Sequence, residues 1–235
     1  MNLLMQIKDT LQNSISVPPY KAAAFFKTGT GHYAAGDKFI GVTVPNLRKI
    51  AKKFMFLTLD DLQLLLESKI NEERLLSLII LTQQYQNEDD QAKETFYKFY
   101  MQNLKYVNNW NLVDASAHLI VGAHLWDKDR SLLLGLATSE ILWERRISIV
   151  STWYFIRRND LAWTFKIASL LKCDTHDLIH KAVGWMLREA GKRDQIQLVT
   201  FLDQHMRVMP RAMLRYAIEK FPESIRKSYL MRSDI

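Results

Sequence analysis

Two residues one helical turn apart invite a chemical reading before anything else in the chain. In the segment NNWNLVDAS, Trp110 and Asp114 stand at i and i+4, a spacing that brings two side chains onto one side of a helix. The pair sets a carboxylate beside an aromatic face, in a chain with 32 Lys and Arg against 25 Asp and Glu and a formal charge of +7. That balance points to a polyanionic partner, nucleic acid or an anionic surface. A carboxylate in a groove meant for phosphates repels the ligand the groove attracts, which makes Asp114 a candidate functional group. The alternative is a salt bridge to a neighbouring arginine such as Arg146.

Other patterns carry less chemistry. The segment GTGHYAAGDKFIG holds four of the eight glycines, Gly29, Gly31, Gly36 and Gly41. It falls short of a phosphate loop: no strand pattern precedes it, Lys38 does not directly follow a glycine, and Phe39 occupies the position of the Mg²⁺-binding hydroxyl. It reads as an ordered loop joining two helices. His176 and His180 have the i, i+4 spacing of a metal pair, but no Cys/His cluster or HExxH element supplies further ligands, so surface or capping roles are expected. The single Cys173 excludes a disulfide framework and a CxxC motif, and is expected to be a core thiol in a reducing compartment. No G-x-S-x-G element is present.

The elements that position these residues are helical. Only 8 glycines and 5 prolines occur in 235 residues, with 48% hydrophobic residues, and apolar spacings of three and four recur almost throughout. The chain is therefore expected to be all-α. Helical segments start near Pro45, Glu72, Asn109, Leu142, Asp177 and Met209, about 27 to 37 residues apart, and another helix fits between most of them. That spacing suits helix pairs stacked into an α-solenoid of HEAT-like repeats, expected as a single domain over 1–235 with a concave basic groove.

Helical-wheel positions at 100° per residue sort core from groove. On the Asp177 segment, Ala182, Val183, Met186, Leu187 and Ala190 form the apolar face, with Lys181, Trp185, Arg188 and Lys192 opposite. On the Pro45 segment, Leu47, Ile50, Ala51 and Phe54 face inward, leaving Arg48, Lys49, Lys52 and Lys53 outside. Leu214, Ala217 and Phe221 pack on the Met209 segment, with Arg211 and Arg215 to one side. The Leu142 segment buries Trp143, Ile147, Val150 and Tyr154, with Arg146, Trp153 and Arg157 as a flanking stripe. On the Asn109 segment, Leu112, Val113, Ser116, Leu119 and Ile120 pack, and Trp110 and Asp114 lie away from that face. Cations interleaved with tryptophans on comparable faces suit phosphate contact plus stacking.

A membrane role is not expected. MNLLMQIKDTLQNS resembles an amphipathic helix more than a signal peptide, and apolar runs such as LLSLIIL are far too short to span a bilayer. The expected location is cytoplasmic.

FKTGTGHYAAGDKFIGVTVPNLRKIAK, NNWNLVDASA, LWERRISI and HKAVGWMLRE together resemble the DNA alkylation repair family of AlkD-like DNA glycosylases, which are HEAT-like helical solenoids. The likeness runs from about Phe25 to about Lys192. It implies hydrolytic release of cationic N3- and N7-alkylated purines from duplex DNA, without metal or organic cofactor; a monomer is expected by default, because a solenoid with a basic groove is self-sufficient. It implies that Asp114 and Trp110 are the aspartate and tryptophan of the family's W-x-x-x-D element. Trp185 matches the tryptophan of GW-x-LRE, and Arg146 the catalytic-site arginine. Phosphate contacts are expected from Arg48, Lys49, Lys52, Lys181, Arg188, Lys192, Arg211 and Arg215, with Thr43 in the N-terminal loop. Better-known members carry glutamine where Thr43 stands and tyrosine near Phe25. A noncatalytic HEAT-like module that binds DNA or protein is the alternative.

Overall fold

A computed structural model describes residues 3–232 of the protein. The described residues are helical, with one isolated bridge between Lys38 and Ile70. Contacts divide the chain into two compact units, Met1–Ser116 and Ala117–Ile235.

The first unit runs α1 Leu3–Gln12, α2 Pro19–Ala23, α3 Val44–Lys53, α4 Leu59–Leu66, α5 Asn71–Asn87 and α6 Asp90–Gln102. A 3₁₀ turn at Leu104–Tyr106 then leads into α7, Trp110–Ala117. Local chemistry sets several helix starts. Thr58 and Asp61 form a reciprocal capping box on α4, and the Asp89 carboxylate accepts the Ala92 N–H at the start of α6. Pro19 and Pro45 fall in first turns, where no N–H is needed. The apolar faces expected for α1 and α3 are buried: Ile7 and Leu11 on the first, Leu47, Ile50 and Ala51 on the second.

Helix α5 lies at the centre of this unit. Every residue from Asn71 to Thr82 is buried, and Leu76, Leu78, Ile80 and Leu81 are fully shielded. At about 2 kcal/mol per fully buried aliphatic side chain, this helix is a main source of the unit's cohesion. Its all-round burial also takes Glu72, Glu73 and Arg74 out of water, so those charges must find internal partners.

The second unit opens with a π-helical turn, His118–Gly122. It continues as α8 Leu132–Ala137, α9 Leu142–Ser151, α10 Trp153–Ile156, α11 Ala162–Leu171, α12 Asp177–Gly191, α13 Gln195–His205, α14 Arg211–Ala217 and α15 Glu223–Arg232. Two glycines allow helices to touch. A Cβ on Gly122 falls 2.2 Å from the Ser151 carbonyl oxygen, and one on Gly184 falls 2.5 Å from both the Met213 carbonyl oxygen and the Tyr216 Cβ. Only glycine permits backbones so close.

The six helix starts expected from sequence reappear as α3, α5, α7, α9, α12 and α14, and α4, α6, α8, α11 and α13 fall between them. The architecture is an all-α helical repeat. Three expectations need correction. The Leu142 segment is not one helix through Tyr154, because a turn at Thr152 separates α9 from α10. Trp143 and Tyr154 are only half-buried. Cys173 is exposed rather than a core thiol. No helix of the described residues is long and apolar enough to cross a membrane.

Candidate functional site

In the first unit the chemistry-bearing pair sits at the start of α7. Leu112, Val113 and Ser116 are buried beneath the helix, whereas Trp110 and Asp114 are half-buried on its other side, as the wheel expects. Asn109 caps the helix: its Oδ1 accepts the Trp110 N–H at 2.8 Å, and its Nδ2 donates to Asp37 at 2.8 Å. Asp37 also accepts from Arg74 at 2.8 Å and from the Asn71 amide at 3.3 Å. Asn111 donates to Asn71 Oδ1 at 2.6 Å.

One face of the Trp110 indole is covered. Phe26 stacks on it with ring centroids 5.0 Å apart and planes within 18°, and Phe39 stacks on Phe26 at 4.4 Å. Any ligand stacking on Trp110 must therefore use its other face. Behind the helix, fully buried Tyr100 shares a 2.9 Å hydrogen bond with Ser116. Burial pushes the Tyr100 phenol well above its ordinary pKa, the Ser116 hydrogen bond works against that, and the nearby Asp114 charge adds to it. Tyr100 thus stays neutral, and a second anion does not form behind Asp114.

In the second unit Trp185 stands half-exposed on α12, opposite the buried Ala182, Val183 and Met186. Its ring meets Trp153 edge-on at 5.0 Å, Trp153 meets His118 at 4.5 Å, and the Arg157 guanidinium lies 5.7 Å from the Trp153 centroid. Arg146 departs from its expected position. It is only 5% exposed and donates Nη1 to the Leu178 carbonyl, so it braces α9 against α12 instead of flanking it on the surface. The physical reason is that the Leu178 carbonyl, in the first turn of α12, has a second lone pair that the buried guanidinium of α9 can reach. Arg157, exposed and without an ion pair among the described residues, is the cation that remains on this stripe.

The expected phosphate contacts divide in two. Arg48, Lys49, Lys52 and Lys53 are all exposed on α3, and none makes an ion pair among the described residues. Arg215 on α14 is likewise exposed and unpaired among the described residues. On α12 the charges are partly spent internally: Lys181 pairs with Asp177 at 2.7 Å, Lys192 with Glu189 at 2.7 Å, and Arg188 with Glu189 and Glu219. Arg211 donates to the Leu230 carbonyl at 3.1 Å. Exposed pairs such as Lys181–Asp177 are weak, about 0–1 kcal/mol, and exchange readily for a phosphate. Thr43 precedes α3 without capping it through its side chain, and Phe25 is 77% exposed. Among the described residues no group of three or more His, Cys, Asp or Glu is arranged to hold a metal ion.

A family model described as DNA alkylation repair enzyme matches residues 19–221. The chain belongs to that family. Its fold is similar to that of a predicted DNA alkylation repair enzyme from Enterococcus faecalis, with a TM-score of 0.66 at 15% identity, covering 88% of this chain and 95% of the other. At that identity the likeness is one of fold. No curated protein matches the chain in sequence. Membership of the DNA alkylation repair family supports a role in alkylation repair with DNA as partner, and the match spans all the residues just described from Phe25 to Arg215.

Within this family member, sequence reasoning missed Asp37, Asn71, Asn109 and Phe26, which surround Trp110; Trp153, expected on the flanking stripe, is the ring that Trp185 meets. Asp37 had one signal. It is a lone acid in a glycine-rich loop, and buried Arg74 and Asn71 on α5 need acceptors; nothing in the linear spacing joins them.

Proposed function

We propose that the protein is a DNA glycosylase that hydrolyses the N-glycosidic bond of cationic N3- and N7-alkylated purines in duplex DNA. The observation that carries this reading is Asp114 one turn beyond Trp110 on the half-buried side of α7, in a chain of the DNA alkylation repair family. An N-alkylated purine already bears a positive charge. When the bond between its ring nitrogen and C1′ breaks, the electron pair stays with the base, which leaves neutral and needs no general acid. The sugar becomes cationic instead.

An ionised Asp114 stabilises that sugar cation and orients a water whose oxygen bonds to C1′, while the water's proton passes to the carboxylate or to solvent. In a partly desolvated site this attraction exceeds its value in bulk water. The face of Trp110 opposite Phe26 favours the same cation through its quadrupole. In the first unit Arg48, Lys49 and Lys52 contact phosphates; the second unit by itself offers Trp185 for stacking and Arg157 for a phosphate. The leaving group is activated by its own charge, so the reaction needs no metal or organic cofactor; the expected monomer is part of the proposal and is independent of that chemistry.

The test is release of N7-methylguanine from duplex DNA by wild type and Asp114→Asn. Loss of the carboxylate charge lowers the rate by about 10²–10³-fold, in line with removal of one preorganised electrostatic stabiliser. Equal release by both removes Asp114 from the mechanism. Salt-dependent DNA binding without release by the wild type selects the noncatalytic DNA-binding module.

A further inference from the structure

The glycine-rich segment has no phosphate-loop chemistry, yet it is anchored to the first unit at several points. Gly31, Gly36 and Gly41 take left-handed backbone angles of 80°, 91° and 92°. At Gly41 a Cβ falls 1.9 Å from the Val17 carbonyl oxygen, so the loop closes against the chain that precedes it. The Ile40 and Gly41 N–H groups donate to the Glu72 carboxylate, the latter at 2.8 Å. Lys38 pairs by backbone with the segment before α5, its N–H to the Lys69 carbonyl at 2.9 Å and its carbonyl to the Asn71 N–H at 2.8 Å.

From this fixed base, loop and α5 residues grip three successive residues at the entry to α7, Asn109, Trp110 and Asn111. Asp37 takes the Asn109 amide, Phe26 covers the Trp110 ring, and Asn71 holds the Asn111 side chain. The Asp37 side chain is 11% exposed and Arg74 5%, so a charged pair has been buried where an apolar pair of similar volume gives comparable stability. What the polar node supplies is a defined geometry: each hydrogen bond permits one arrangement of the α7 start, and the aromatic stack fixes the ring plane.

We propose that Asp37, acting through Asn109, and Phe26 are positioning residues that set the Trp110 indole and the first turn of α7, on which the next turn with Asp114 is built. This inference rests on the glycosylase reading of Trp110 and Asp114. Its structural part, that the loop sets the indole's environment, is measured separately.

Replacing Asp37 outright strands the Arg74 charge and risks unfolding, so two milder variants carry the test. Asn109→Ser keeps a capping oxygen but removes the amide that Asp37 accepts; Phe26→Leu removes the stacked ring. Leu62→Ala, a fully buried position on α4, reports what loss of stability alone does. Four quantities are measured: single-turnover release of N7-methylguanine at saturating protein, the dissociation constant for the same duplex, the thermal midpoint, and the ¹⁹F spectrum of protein labelled with 5-fluorotryptophan, its Trp110 line assigned with Trp110→Phe. Each positioning variant slows release by about tenfold or more while DNA affinity stays within about twofold, because misplacement of a reacting group by about 1 Å is costly without loss of binding. The Trp110 line moves in both variants and stays put in Leu62→Ala. An unchanged Trp110 line overturns the proposal, as does a rate loss matched by Leu62→Ala at equal thermal midpoint. If the wild type releases no base, the glycosylase reading falls, and the Trp110 line alone decides whether the loop sets the indole.

Discussion

The Asn109 side chain reaches a residue 72 positions away: its Nδ2 donates to Asp37 Oδ2 at 2.8 Å, while its Oδ1 accepts the N–H of Trp110, also at 2.8 Å. The indole that begins α7 is therefore held by a loop that precedes α3 and the core helix α5 in the chain. Trp185 in the second unit is held differently, by edge-to-face packing on Trp153 and by a glycine beside it that lets α12 touch α14. One aromatic contact is fixed by polar geometry and the other by shape.

Arg146 and Arg157 are expected to separate cleanly on mutation. Arg146→Ala removes a buried charged donor from the Leu178 carbonyl, and stability falls by about 1.5–3 kcal/mol, the range for hydrogen bonds to charged groups. Arg157→Ala, at an exposed position, leaves stability within about 0.5 kcal/mol of wild type. It instead reduces the slope of log affinity against log salt by about 0.9 if Arg157 contacts one phosphate. Chemical denaturation and DNA titration at several salt concentrations measure the two effects.

The different fates of these arginines explain what was legible in sequence. Helix faces were legible because 3.6-residue periodicity depends on one segment at a time: Leu47, Ile50 and Ala51 are buried on α3 and Ala182, Val183 and Met186 on α12, with Arg48 and Trp185 on the far sides. A wheel assigns Arg146 to the flank of α9, but its burial is decided by the start of α12, 32 residues on. Glu72, Glu73 and Arg74 are buried despite their charge, which no single-segment pattern signals. Asp37, Asn71 and Asn109 became visible as a unit only once folding brought three distant segments together. The catalytic candidates Trp110 and Asp114 were accessible from spacing and resemblance; the residues that hold them were not.

The unpaired cations of α3 give a second prediction. Arg48, Lys49 and Lys52 lie exposed on one short helix and form no ion pair among the described residues, so each is available to release a counterion from DNA. Replacing all three with alanine lowers the magnitude of the salt slope by about 2.7 if each contacts one phosphate. The thermal midpoint changes little, since these side chains support no packing. The corresponding triple replacement of Lys181, Arg188 and Lys192 lowers the slope less, because part of that charge is already answered by Asp177, Glu189 and Glu219.

The start of α12 carries a pH dependence. His176 Nδ1 accepts the Leu178 N–H at 3.1 Å, which requires that nitrogen to be unprotonated. Burial holds the His176 pKa below its ordinary 6.5; Asp174 and Asp177 act to raise it, and Arg145 and His180 to lower it. Below pH 6.5 the unfolded chain therefore binds this proton more readily than the folded one, and stability declines as pH falls. His205, lowered by burial and Lys172, contributes in the same direction. His176→Asn preserves an N-cap acceptor without a titrating group. Urea unfolding between pH 7.5 and 5 should show a shallower loss of stability for the variant than for wild type, and parallel curves exclude His176 as the source.

Two helical glycines are expected to respond with opposite signs to the same substitution. Alanine normally improves a helix interior by about 0.5–1 kcal/mol over glycine, because it restricts the unfolded chain and covers the backbone. At Gly135 in α8 an added Cβ meets nothing within 4 Å, so Gly135→Ala gains roughly that amount. At Gly184 the same methyl lies 2.5 Å from the Met213 carbonyl oxygen and the Tyr216 Cβ. The former is backbone and the latter is attached to it, so neither can swing aside and α14 must move away from α12. The cost of such overpacking is about 1–3 kcal/mol and exceeds the helical gain. Because Gly184 immediately precedes Trp185, a displaced α14 also alters the surroundings of that indole, and DNA affinity falls along with stability. Denaturation curves for Gly135→Ala, Gly184→Ala and the double variant separate the two effects; a Gly184→Ala protein as stable as wild type shows that α12 and α14 are not held in the close contact described.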